Sequence, residues 1–105
     1  MEQFAHINVE QAQALVAESG AIIADIRDDQ SYQQSHPQGA IHLTNQSLTA
    51  LMHDHDPDTP IIVVCYHGHS SQGAAQYLIQ QGFEEVYSLD GGFEAWAQQA
   101  PVTNK

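Results

Sequence analysis

The stretch Ile61-Ile62-Val63-Val64-Cys65 constrains the fold more than any other part of this chain. It is almost wholly β-branched. The turn residues Asp56-Pro57-Asp58-Thr59-Pro60 precede it, and a polar loop containing Gly68 follows it, from Tyr66 to Ser70. A strand with no polar face has both sides covered, which places it centrally in a parallel sheet. Ser71 to Gln81 then reads as an amphipathic helix with Ala74, Ala75, Leu78 and Ile79 on one side, closed by Gly82.

Other segments repeat the alternation. Asn8 with Gln11 has the form of a capping box and opens a helix over 9–18 that stops before Gly20. Ala21 to Ile26 suits a buried strand. Asp28-Asp29 offers a cap for a short helix near Ser31–Ser35, ended by His36-Pro37-Gln38-Gly39. Ala40-Ile41-His42 forms a brief strand, and Thr44 or Asn45 caps a helix through about His53. Glu85 to Leu89 is a further strand, Asp90-Gly91-Gly92 a turn, and Phe93 to Gln99 a last helix, with Phe93 and Trp96 assigned to the core. Strands alternating with helices predict an α/β domain with a mainly parallel sheet. Ligands of such sheets bind beyond the carboxyl ends of the strands, and Cys65 lies at one of those ends. The length, 105 residues, suits one domain over 1–105 with its core at about 5–100.

Charge narrows the function. Two basic residues, Arg27 and Lys105, oppose thirteen acidic ones, for a net charge of −11. That field repels phosphate backbones and anionic lipid, so nucleic-acid and membrane roles are excluded. The start Met1-Glu2-Gln3-Phe4 does not resemble a secretory signal, and the apolar run at 61–65 is too short to span a bilayer. A single cysteine allows no internal disulfide and suits a reducing compartment, so a soluble cytoplasmic protein is expected.

The segment Cys65-Tyr66-His67-Gly68-His69-Ser70-Ser71 carries the chemistry. A loop that curls in front of a helix N-terminus can turn its backbone N–H groups on an anion. Such surroundings lower a cysteine pKa and favour the nucleophilic thiolate. Gly68 permits a positive φ in a tight cradle, and Ser70 and Ser71 add hydroxyl donors or helix caps. The alternative is a buried, inert cysteine finishing an apolar strand.

The same residues resemble the active-site loop of the rhodanese domain. The likeness is closest to small bacterial thiosulfate sulfurtransferases associated with glycerol-3-phosphate genes. It extends over nearly the whole chain: Asp25-Ile26-Arg27, then His36-Pro37-Gln38-Gly39-Ala40-Ile41, the cysteine loop, and Gly91-Gly92-Phe93-Glu94-Ala95-Trp96 occur in the family's order. The resemblance implies a rhodanese-like fold: about five mainly parallel strands with helices on both faces. It also implies covalent transfer. Cys65 takes the outer sulfur of thiosulfate and releases sulfite, then passes that sulfur to cyanide, a small thiol or a dithiol such as thioredoxin, with no cofactor. One position departs: Gln72 stands where the nearest relatives are expected to carry Lys. Recruitment of a dianion would then fall to loop amides, His67, His69 and Arg27.

Further residues and rival functions leave choices open. Asp25 and Arg27 alternate on a strand and share a face. They either brace the loop or form an ion pair capping the strand end. The seven histidines include alternating pairs, but no established ligand spacing completes a metal site, and none is assigned. A phosphatase of related architecture needs a bidentate Arg where this chain has Ser71. A non-catalytic rhodanese-like module generally lacks the cysteine that is present here. A persulfide relay fed by a cysteine desulfurase would use the same Cys65 chemistry.

Overall fold

The computed structural model describes residues 2–104. Its centre is the apolar run: β5 (Ile61–Val64) has every residue fully buried. Side chains alternate along it, with Ile62 and Val64 in a cluster with Ile7, Val9, Ile23, Leu89 and Trp96. Ile61 and Val63 point the other way, into a cluster with Leu51, Ala75, Leu78, Phe83 and Val86. The missing polar face is thus explained by a core on each side of the sheet.

Around β5 the chain lays β1 (Ala5–Ile7), β2 (Ile22–Asp25), β4 (Ile41–His42) and β6 (Val86–Leu89) in the order β1-β6-β5-β2-β4, all parallel. The helices α1 (Val9–Ser19), α2 (Asp29–Gln34), α3 (Asn45–Asp54), α4 (Ser70–Gln80) and α5 (Gly92–Gln99) alternate with the strands. This is the five-stranded α/β arrangement expected. Local chemistry starts several helices where anticipated. The Asn8 and Gln11 side chains satisfy each other's backbone N–H groups, Thr44 and Ser47 do the same, and Asp28 accepts from Ser31 N–H.

Three short strands depart from the sequence reading. β1 lies within a polar start, yet it pairs Ala5 with Tyr87 and Ile7 with Leu89 and forms one edge of the sheet. Residues 35–37 are not merely a helix ending. β3 (Ser35–Pro37) pairs antiparallel with β7 (Val102–Asn104), which brings the tail back beside α2. Partners this distant in sequence leave no local periodicity to detect.

β2 ends at Asp25, so Arg27 lies past the strand rather than on it. Asp25 is fully buried and Arg27 is 6% exposed. The Arg27 Nε donates to both carboxylate oxygens at 3.1 Å, Nη2 donates to Oδ2 at 2.8 Å, and the Arg27 N–H donates to Oδ1 at 2.9 Å. Nη2 also reaches the Ser35 carbonyl at 2.6 Å, tying the strand end to β3. Removing one partner of such a pair leaves an uncompensated buried charge. Asp25→Ala is therefore expected to cost about 3–5 kcal/mol, read as a lowered midpoint in urea unfolding.

Candidate active site

The central strand delivers Cys65 to the carboxyl edge of the sheet, where residues 66–69 turn before α4 begins. Cys65 is 3% exposed and lies at the bottom of this loop. Its sulfur accepts the Gly68 N–H at 3.1 Å and lies 3.2 Å from Ser71 Oγ. Burial pushes the thiol up. The Ser71 hydroxyl and the amides of Ser71, Gly68 and His67 outweigh it, and the Cys65 pKa falls below the ordinary thiol value. The inert-cysteine alternative offers no such donors.

Two glycines make the turn possible. Gly68 has φ of +96°, and a Cβ there would sit 2.9 Å from the Gly91 nitrogen. Gly92 has φ of +60°, and a Cβ would meet the Cys65 carbonyl oxygen at 2.5 Å. Only glycine lets the backbones approach this closely. The approach joins the first turn of α5 to the loop: Phe93 N–H donates to the Cys65 carbonyl at 2.7 Å, and Glu94 N–H to the Tyr66 carbonyl at 3.2 Å. These are N–H groups that a helix leaves unpaired within itself.

The remaining loop residues have separate surroundings. Tyr66 is half-exposed, and its hydroxyl hydrogen-bonds to the Asp28 carboxylate at the cap of α2, with Ser31 Oγ 3.3 Å away. The exposed His67 pairs through Nδ1 with Glu94 at 3.1 Å. His69 is the N-cap of α4 but makes no side-chain cap bond. Ser70 is the first residue of the helix and is exposed. Neither serine caps α4; the Ser71 hydroxyl turns inward to the sulfur and to Ser88 Oγ, 2.7 Å away. Gln72 donates to the Gly68 carbonyl at 2.9 Å, so the residue at the departing position ties the loop down.

Asp25 and Arg27 form the ion pair described above, and Arg27 also backs the site. Its guanidinium carbon is 3.9 Å from the Phe93 ring centroid and 5.9 Å from that of Tyr66. Phe93 is partly buried and packs against the core cluster that holds Trp96, as expected, with one face also over the Arg27 cation; Trp96 is 3% exposed. Arg27 is 6% exposed with Nε and Nη2 bonded to Asp25 and Ser35, so little of its guanidinium is open to an incoming anion. Among the described residues, no three His, Cys, Asp or Glu side chains converge as metal ligands. No helix among them is long and apolar enough to cross a membrane.

Sequence reasoning missed Ser88 and the docking of Gly92. Ser88 is the lone small hydroxyl in Val86-Tyr87-Ser88-Leu89, and a polar side chain at a buried strand position was the available signal. The Gly91-Gly92 pair read as a turn and as part of the family's closing motif, with no contact to Cys65 assigned to it.

Fold and site together define a parallel α/β domain that presents one acidic thiol in an amide-lined loop. The chain belongs to the rhodanese-like domain family, whose model matches residues 8–99. Solved structures agree on the fold. The rhodanese-like domain of an Anabaena protein superposes with a TM-score of 0.81 at 24% identity, covering 95% of this chain and 79% of that one. A rhodanese-like domain protein from Staphylococcus aureus gives 0.79 at 20% identity, with 97% and 99% covered. A rhodanese-related protein from Thermoplasma volcanium gives 0.77 at 22%, with 97% and 100% covered. Family membership suggests activity of the sulfurtransferase type.

The lowered thiol pKa gives a direct test. Hydrogen bonds to charged groups contribute about 1.5–3 kcal/mol, so losing the Ser71 hydroxyl in Ser71→Ala should raise the Cys65 pKa. Iodoacetamide alkylation followed across pH should show its midpoint moved upward and a slower rate at neutral pH.

Proposed function

We propose that this chain is a sulfurtransferase that carries sulfane sulfur as a persulfide on Cys65, of the kind found in small bacterial thiosulfate sulfurtransferases. The observation carrying this reading is the ring of donors on the Cys65 sulfur, which favours its anionic form although the residue is buried. In the first step the thiolate attacks the outer sulfur of thiosulfate. A new S–S bond forms, the old one breaks, and sulfite leaves with the electron pair. In the second step cyanide, a small thiolate or a dithiol such as thioredoxin attacks the outer sulfur, and Cys65 departs as thiolate. Each half-reaction therefore begins or ends on the same stabilised anion, and ping-pong kinetics follow. Inward-facing amides of His67, Gly68 and Ser71 also support negative charge on the sulfur in transit. Neither step needs a metal or organic cofactor. The lone thiol suits a reducing cytoplasm.

Charge around the loop favours a second reading of the donor. Asp28 and Glu94 contact Tyr66 and His67, Arg27 is buried against Asp25, and the chain carries −11 overall. Among the described residues, a dianion meets no unpaired Arg or Lys beside the loop. A persulfide handed over by a cysteine desulfurase avoids that opposition, with thiosulfate then serving as an assay substrate only.

Mass spectrometry separates the core claim from its rivals. After exposure to thiosulfate and desalting, the intact protein should gain the mass of one sulfur atom and lose it on cyanide addition. Cys65→Ser should gain nothing. An unchanged wild-type mass with both thiosulfate and a persulfide donor would leave the domain as a binding module. For the thiosulfate reaction, turnover at subsaturating substrate should rise with moderate inert salt, because screening weakens the repulsive field. A flat or falling rate would contradict the electrostatic account.

A further inference from the structure

A buried chain of hydroxyl groups runs from the Cys65 sulfur into the sheet. Sγ lies 3.2 Å from Ser71 Oγ, which lies 2.7 Å from Ser88 Oγ on β6. Both serines are 0% exposed. Among the described residues, Ser71 is the only side-chain partner of the Ser88 hydroxyl.

Hydrogen placement along this chain is then restricted. A buried O–H without an acceptor is costly, and either hydroxyl of the Ser71–Ser88 pair can donate to the other. The neutral thiol donates from Sγ to Ser71 Oγ; once Cys65 is ionised, a Ser88 proton donated to Ser71 Oγ leaves the Ser71 proton to point at Sγ. When Cys65 is a thiolate, both hydroxyl protons have acceptors. When it is a thiol, the chain holds an extra proton. If S–H donates to Ser71 and Ser71 to Ser88, then the Ser88 O–H is stranded in the interior. If the serines keep their forward order, then the S–H is the hydrogen left over. The fully matched arrangement is the anionic one, and successive hydrogen bonds polarise each other in the same direction.

We propose that Ser88 is a positioning residue: its buried hydroxyl donates to Ser71 and thereby aims the Ser71 proton at Cys65 Sγ, favouring Cys65 as attacking and departing thiolate. Its catalytic consequence rests on the reading of Cys65 as sulfur carrier. Its effect on the thiol does not. The proton lost on forming the thiolate passes to solvent, and no co-reactant is involved.

The experiment is iodoacetamide alkylation across pH, with far-ultraviolet circular dichroism to confirm folding. Ser88→Ala should alkylate about three- to tenfold more slowly at neutral pH, in line with one ordinary hydrogen bond, with its profile displaced to higher pH. The limiting rate at high pH should be unchanged, a pattern that general loosening of the loop would not give. Ser88→Thr should retain the wild-type profile. In the Ser71→Ala background, adding Ser88→Ala should cause no further displacement, because the link it acts through is gone. An unmoved profile in folded Ser88→Ala, or additive shifts in the double variant, would overturn the assignment. Should Ser88→Ala not fold, Ser88→Val and Ser88→Thr make the same comparison at matched volume, and equal profiles overturn it. Sulfur loading from thiosulfate and from a persulfide donor is measured in parallel on the wild type. A displaced profile without loading refutes the sulfurtransferase reading alone, and loading with an unmoved profile refutes the Ser88 role alone.

Discussion

Aiming hydrogen-bond donors at a buried sulfur imposes a direction on the peptide units around it. Amides turned toward the sulfur leave the carbonyls of the same peptide units turned away, and those carbonyls need donors of their own. The α5 amide of Glu94 takes the Tyr66 carbonyl behind the His67 amide, and Phe93 N–H and the Gln72 side chain hold the Cys65 and Gly68 carbonyls on either side. Gly68 and Gly92 belong to the same arrangement, since a side chain at either would separate the backbones that must touch. Much of what distinguishes this loop from a simple strand-to-helix turn thus serves to aim donors at one sulfur.

A second layer of support lies beneath. The Asp25–Arg27 pair joins the end of β2 to the Ser35 carbonyl, while the guanidinium lies against Phe93 and within range of Tyr66. Arginine here does structural and electrostatic work at once, but none of its hydrogen bonds faces an incoming ligand. Tyr66 is tethered to Asp28, whose carboxyl is held below its usual range by hydrogen bonds from Ser31. Negative groups therefore stand close to the Cys65 loop. Stabilisation at the sulfur comes from backbone amides and the Ser71 hydroxyl, and among the described residues no cationic side chain contacts it.

The parts of this arrangement legible in the sequence were those with local signatures. The β-branched run before Cys65, the Asn8 and Thr44 caps and the apolar side of α4 each follow from neighbours along the chain. Cys65 and its loop could be found because a strand, a polar turn with glycine and a helix occur in immediate succession. What stayed hidden depended on distant partners. β1 has too few residues for a pattern and is defined by β6; β3 and β7 define only each other. Ser88 gains its meaning from Ser71, and Gly92 from Cys65, neither of which is near it in sequence. Phe93 packs on the core as its helical spacing from Trp96 implies, but the Arg27 cation over its ring comes from just past β2, distant in sequence.

The contact between α5 and the loop also bears on how the molecule is made. Cys65 emerges during synthesis well before residues 92–94, and domains assemble as their long-range contacts become available. Until α5 docks, the carbonyls of Cys65 and Tyr66 face water and the turn that brings the amides inward lacks its outer support. The donors on the sulfur lie within residues 67–71, whereas the contacts that brace their turn arrive only with α5.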